Sequence, residues 1–180
     1  WIYLDGGLLE DNEALASALP PEVVHLFVET FAQAALDVER AIGKNVRILL
    51  SPQRFVYMDQ RYKEPAADVS QQAEQDRLGM IAYPKVTVEE LMQWNPTTFN
   101  PLIKEENMAG VECAVWCETI ESFSDLQFLV LPKLPGIAEK AWNADGDTDW
   151  NEYARRLAAQ STLWNKFGWN YFKSSLVDWK

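Results

Sequence analysis

Trp116 and Glu118 stand two residues apart at the C-terminal end of an apolar run, Gly110-Val111-Glu112-Cys113-Ala114-Val115-Trp116-Cys117-Glu118-Thr119. The run is short and bounded by Gly110, which suits a buried strand. On a strand, alternate side chains share a face, so these two lie about 7 Å apart on one side. An indole face packs against the C–H face of a sugar ring, and a carboxylate beside it accepts hydrogen bonds from the ring hydroxyls. Tyr57 and Asp59 repeat that spacing earlier in the chain: if extended, a phenol and a carboxylate again share a face. Trp94 lies just before Asn95-Pro96. Each feature has a plainer alternative. Trp116 and Glu118 also fit a buried tryptophan beside an acid paired with Arg or Lys, Tyr57 and Asp59 fit loop capping, and Trp94 fits local packing.

Other chemistries are poorly served. The single histidine, His25, sits inside an apolar run and reads as a packed residue. No CxxC pair, glycine-rich phosphate loop or Ser-His-Asp set is present, so neither a metal nor another cofactor is expected. Cys113 and Cys117, if on one strand, stand about 13 Å apart. A disulfide spans at most about 7 Å between Cα atoms, so no bond between them is expected. The net charge of −11 and pI near 4.5 exclude non-specific nucleic-acid binding, which needs clustered Lys and Arg. A hydrophobic content of 48% with eight tryptophans supports a packed core rather than disorder. No apolar run approaches a membrane span, and no leader pattern is present. The chain opens on Trp1 rather than Met, which is read as a fragment or a processed product.

The elements that must hold these residues read as α/β. Val23-Val24-His25-Leu26-Phe27-Val28 is β-branched and aromatic and predicts a strand over 23–29. An Ala-rich helix over 32–42 follows, then a strand over 45–51; one continuous helix over 22–42 stopped by Gly43 is the alternative. Strand, helix, strand with short links predicts a βαβ unit, with 111–118 as a third parallel strand. Ligands bind at the C-terminal ends of such strands. Before this unit come a turn at Gly6-Gly7 and a weak helix over 11–18. Residues 60–86 are polar and aperiodic, a long loop of functional or mobile type. Thr87-Val88-Glu89-Glu90 has capping-box spacing and predicts a short helix to Gln93. Ser124 caps a predicted helix through Leu131, and Pro135 opens one over 136–142. The longest helix is expected from Thr148 to Phe167, ended by Gly168, with the aromatic tail 169–180 packed against the rest. Nothing marks a linker, so residues 1–180 are expected to form one domain.

Taken in order, these motifs resemble the C-terminal part of the catalytic barrel of family 20 β-N-acetylhexosaminidases. The carriers are Ile48-Leu49-Leu50-Ser51-Pro52, Tyr57-Met58-Asp59, Trp94-Asn95-Pro96, Gly110-Val111-Glu112, Trp116-Cys117-Glu118, Leu131-Pro132-Lys133-Leu134, Ala138-Glu139-Lys140-Ala141-Trp142 and Gly168-Trp169-Asn170-Tyr171. The resemblance implies a (β/α)8 TIM barrel of which this chain supplies strands six to eight with their helices. It implies retaining, substrate-assisted removal of terminal N-acetylglucosamine or N-acetylgalactosamine from glycans, the acetamido oxygen of the substrate acting as nucleophile. Under it Tyr57 holds the acetamido group, Asp59 and Glu118 accept from sugar hydroxyls, and Trp94 donates nearby. Trp116 floors the pocket and Trp1 walls the acetamido site. A periplasmic, secreted or lysosomal setting would match the family.

The sequence also departs from that pattern. The family's adjacent Asp-Glu pair, which orients the acetamido group and supplies the proton, has no counterpart, because no Asp-Glu dipeptide occurs in the chain. A basic residue for the sugar hydroxyls is also missing, Glu29-Thr30-Phe31 stands where a tryptophan is common, and Cys117 replaces a usual Thr. The chain therefore reads as a fragment that is inactive alone, completed by the N-terminal part of its barrel or by self-association. A non-catalytic sugar-binding or structural half-barrel module is the alternative, and an unrelated α/β domain a third.

Overall fold

The computed structural model describes residues 25–27, 38, 42–43, 47–143 and 148–180. Trp1, the Gly6-Gly7 turn, the helix over 11–18 and most of the helix over 32–42 lie outside the described residues. The chain divides into two units. The first combines residues 1–56 with 95–112, and the second combines 57–94 with 113–180.

In the first unit, β1 (His25–Phe27), β2 (Ile48–Leu50) and β3 (Met108–Val111) form a parallel sheet in that order. The strand at 25–27 excludes the single helix over 22–42, whereas Val38, Ile42 and Gly43 are helical as the βαβ reading requires. Ile48 and Leu50 are fully buried and pack with Val38 and Ile103, with Phe99, Met108 and Val111 around them. Pro52 starts α1 (Gln53–Val56), where the amides of Phe55 and Val56 donate to its carbonyl.

The third strand departs from its expected span of 111–118. Ile48 pairs with Met108 but Leu49 with Gly110, so β3 carries one extra residue there. Gly110 adopts φ 149°, a backbone setting that L side chains resist. Ala109 is thus the unpaired extra residue, and Gly110 lies beside this bulge inside the strand rather than at its boundary. Past Val111 the ladder fails for want of a neighbour. After β2 the adjacent segment turns into α1, leaving one amide, Glu112 N–H to Leu50 O at 2.9 Å, and later an isolated bridge between Tyr57 and Ala114. Residues 115–118 are irregular.

The second unit is mainly helical: α2 (Gln72–Arg77), α3 (Phe123–Val130), α4 (Lys133–Trp142) and α5 (Trp150–Phe167). Its core joins Tyr62, Leu78, Val88, Phe128, Leu129, Leu157, Trp164, Tyr171 and Phe172. The expected long loop at 60–86 is instead firmly packed. Two of its glutamines bond backbone: Gln71 Nε2 donates to Tyr171 O at 2.7 Å and Gln75 Nε2 to Glu64 O at 2.7 Å. The Tyr62 hydroxyl lies 2.9 to 3.1 Å from the carbonyls of Phe128, Leu129 and Leu131, covering the open end of α3.

Caps explain the shifted helix boundaries. Ser122, not Ser124, caps α3: its Oγ accepts from Asp125 N–H while the Asp125 carboxylate accepts from Ser122 N–H. Thr87 and Glu90 exchange the same pair of bonds, but the turn they start is a single 3₁₀ turn, Glu90–Met92. Pro135 lies in the first turn of α4, which opens at Lys133, three residues before the expected 136. Asp149 caps α5, which therefore starts at Trp150 rather than Thr148, and Gly168 ends it at φ 65°. The aromatic tail packs as expected, with Phe172 stacked on Tyr62.

Candidate functional site

The segment Tyr57–Gln60 is held on three sides. Met58 N–H donates to Ala114 O at 2.8 Å, and Met80 N–H donates to Asp59 O at 2.8 Å. Gly79 makes that second approach feasible, since at φ 95° a Cβ would stand 2.8 Å from the Asp59 carbonyl and 2.7 Å from Arg61 Cγ. On the third side the ammonium of Lys133, from the first turn of α4, donates to Met58 O at 2.6 Å and to Gln60 O at 2.5 Å. These are the carbonyls on either side of Asp59, so its backbone is clamped before and behind.

Four of the expected residues gather here. Tyr57 is buried, its ring 5.8 Å from that of Trp116 and 5.8 Å from that of Tyr83. Trp116 is 37% exposed, a flat apolar face open to solvent beside a held phenol. Asp59 is 1% exposed, and among the described residues neither carboxylate oxygen has a hydrogen-bond partner. Burial pushes its carboxyl up to about 6, and the nearby Glu118 carboxylate adds to the rise. Its own amide, the Lys133 ammonium and the Trp116 amide oppose the rise, although the amides close no full hydrogen bond. A buried acceptor with open lone pairs is costly unless a ligand supplies donors. Glu118 is exposed, on a turn rather than a strand, so strand alternation is not what brings it toward Asp59. Trp94 is buried just after the 3₁₀ turn, as the packing alternative expects. Trp1 lies outside the described residues.

Sequence reasoning passed over Lys133 as a functional residue. It is 1% exposed, its Nζ sits 4.2 Å from the centre of the Tyr62 ring, and it faces both Asp59 and Glu64. Burial pushes the ammonium down to about 7 while the two carboxylates hold it up. Glu64 accepts from Ser174 Oγ at 2.7 Å and from Val88 N–H at 3.1 Å, and burial raises its carboxyl. A signal was available: Lys133, Ile137 and Lys140 are all buried along one face of α4, so lysines seven residues apart follow the core stripe. Among the described residues no group of three or more His, Cys, Asp or Glu side chains is arranged to hold a metal ion. Cys113 and Cys117 are both free thiols.

Such a site offers a ring-sized apolar face, a phenol and a buried carboxylate awaiting donors, which suits a ring carrying hydroxyls. Comparison with known proteins points the same way. The chain is 31% identical over 168 residues to a β-N-acetylhexosaminidase of Cellulomonas fimi, covering 93% of this chain and 32% of that protein. It is similar to the structure of Streptomyces plicatus N-acetyl-β-hexosaminidase in complex with Thio-NAglucal, with a TM-score of 0.74 and 29% identity over 92% of this chain and 32% of that one. The family 20 β-N-acetylhexosaminidase of Streptomyces coelicolor gives a TM-score of 0.69 at 29% identity, over 88% of this chain and 30% of its own. The chain thus spans about a third of the length of these relatives. The model of the glycosyl hydrolase family 20 catalytic domain matches residues 13–145, well over half of the sequence. The chain therefore belongs to glycosyl hydrolase family 20, within the catalytic domain of that family.

Proposed function

We propose that residues 1–180 are one partial domain, the C-terminal part of a (β/α)8 barrel contributing strands six to eight. On this reading the chain carries half of the sugar subsite of an enzyme that removes terminal N-acetyl-β-D-hexosamine residues from glycans with retention. The observation that carries it is the grouping of Tyr57, Trp116 and Glu118 around the buried, unbonded Asp59 carboxylate, in segments that directly follow β2 and β3 in sequence. Asp59 and Glu118 accept from the sugar hydroxyls, Trp116 stacks under the ring, and Tyr57 donates to the acetamido group as its oxygen attacks C1. By the family resemblance Trp94 is also assigned to the acetamido side. Hydrogen bonds to charged groups of this kind contribute roughly 1.5–3 kcal/mol each.

The leaving oxygen still needs a proton from a placed acid. With no Asp-Glu dipeptide in these residues, that acid comes from elsewhere in the barrel. Purified chain 1–180 is expected to leave aryl N-acetyl-β-glucosaminides intact, while the complete enzyme carrying it turns them over. Turnover by the short chain would place an acid within these residues. Inactivity of both would favour the non-catalytic sugar-binding module that the missing acid pair also suggests.

A pH dependence follows from Asp59. Its carboxyl titrates near 6 in the free protein, so the charge that accepts sugar hydroxyls is lost as pH falls through that value. The acid limb of kcat/KM, which reports the free enzyme, should bend near pH 6. Bound hydroxyls favour the anion, so the corresponding limb of kcat should sit lower. Coincident limbs in a steady-state pH series would remove Asp59 from substrate binding.

A further inference from the structure

We infer that Lys133 is a positioning residue for the sugar site: its ammonium, pinned between the carbonyls on either side of Asp59, fixes where that carboxylate points and keeps it ionised. The inference rests on the proposed reading of Asp59 and goes beyond it, because Lys133 touches no substrate. Two short bonds, to Met58 O at 2.6 Å and Gln60 O at 2.5 Å, use two of the three ammonium protons on the backbone of a single turn. The bonds come from the first turn of α4, while the turn they hold lies more than seventy residues earlier in the chain. A lysine needed only for packing would be better served by an apolar side chain, since burying a cation is costly. The expense is offset here because the cation lies against the Tyr62 ring and between two buried carboxylates, Asp59 and Glu64.

The charges form a ledger that decides how the site titrates. Asp59 faces Lys133 and Glu118; Glu64 faces Lys133, with Ser174 Oγ and Val88 N–H as its hydrogen-bond donors; Lys133 faces both acids and the face of Tyr62. One cation therefore serves two buried anions. Removing it leaves Asp59, among the described residues, facing the repulsive charge of the exposed Glu118. Removing the Glu64 charge instead takes away part of what keeps the buried ammonium charged beside Asp59.

The test uses the complete enzyme carrying this chain, an aryl N-acetyl-β-glucosaminide, and pH profiles of kcat/KM. For Lys133→Met the acid limb is expected to move up by about one to three pH units, the shift an opposite charge at this range produces. At pH 6 this lowers kcat/KM about fivefold or more, mostly through KM. Lys133→Arg keeps the cation and should hold the limb close to its wild-type position even if KM rises. Glu64→Gln, which keeps the shape of the site and serves should Lys133→Met not fold, removes one of the two carboxylates that hold the ammonium charged and should move the limb to higher pH, by less than Lys133→Met does. A folded Lys133→Met variant, or a Glu64→Gln variant, with the wild-type limb would overturn the inference, since a purely structural lysine changes the amount of active enzyme and not its titration. Asp59→Asn separates the two levels. If it weakens binding while Lys133→Met shifts nothing, the inference alone falls; if it leaves KM unchanged, the sugar-site reading falls with it.

Discussion

Replacing Tyr57 with phenylalanine in the complete enzyme should lower kcat by about 100- to 1,000-fold, the usual cost of removing one donor aimed at developing charge. KM should change far less. In the ground state the acetamido group is neutral and the phenol contributes an ordinary hydrogen bond. As the acetamido oxygen attacks C1 the group becomes charged, and the same bond strengthens only then. The structure makes this substitution a clean probe. The Tyr57 ring is held edge-on by Tyr83 and tilted against Trp116, both at 5.8 Å, and a phenylalanine keeps those contacts. Steady-state kinetics, with a melting curve as a control for folding, read the outcome. Wild-type kcat in a folded Tyr57→Phe protein would take the phenol out of the reaction.

The largest loss of stability is expected at Phe172. Its side chain is fully buried, stacked on Tyr62 with ring centres 3.8 Å apart and meeting Phe128 edge-on at 5.5 Å. Phe172→Ala removes a ring from the centre of a three-ring cluster and should cost about 3–5 kcal/mol. The backbone at this point also closes the fold, since Phe172 N–H donates to Leu131 O at 3.0 Å. Chemical denaturation should show a lower midpoint with a nearly unchanged slope. A loss below about 1 kcal/mol would mean the tail is packed far more loosely than its contacts indicate.

Much of this architecture was legible in the residues, and the gaps have physical causes. The β-branched and aromatic run at 23–29 and the apolar 45–51 run correctly led to β1, β2 and their parallel pairing, because such side chains suit a pleated strand. The third strand was found but misplaced. A glycine is ambiguous between the boundary of a strand and its interior, and only the register with β2 resolves it. The segment 60–86 misled because its Gln and Asp residues serve backbone hydrogen bonds, and composition alone does not distinguish that use from solvation. Tyr57, Asp59, Trp116 and Glu118 do come together, though through loops and turns rather than strand alternation. Lys133 stayed hidden as a functional residue because its role lies in what its three protons reach.

The bond from Ser174 Oγ to Glu64 spans 110 residues of sequence, and Ser174 also bridges Ala66 in antiparallel fashion. On a ribosome this separation becomes time. At roughly 5–20 residues per second, Glu64 is made about 5–20 s before its partner exists. Early in that interval Tyr62 has neither Phe128 nor Phe172 to pack on, and the turn bearing Asp59 lacks the lysine that clamps it. The nascent polypeptide therefore carries the Tyr57–Gln60 turn unclamped until Lys133 has been made, and the Tyr62 ring unstacked until Phe172 follows, so the turn is set in place in two stages separated by synthesis.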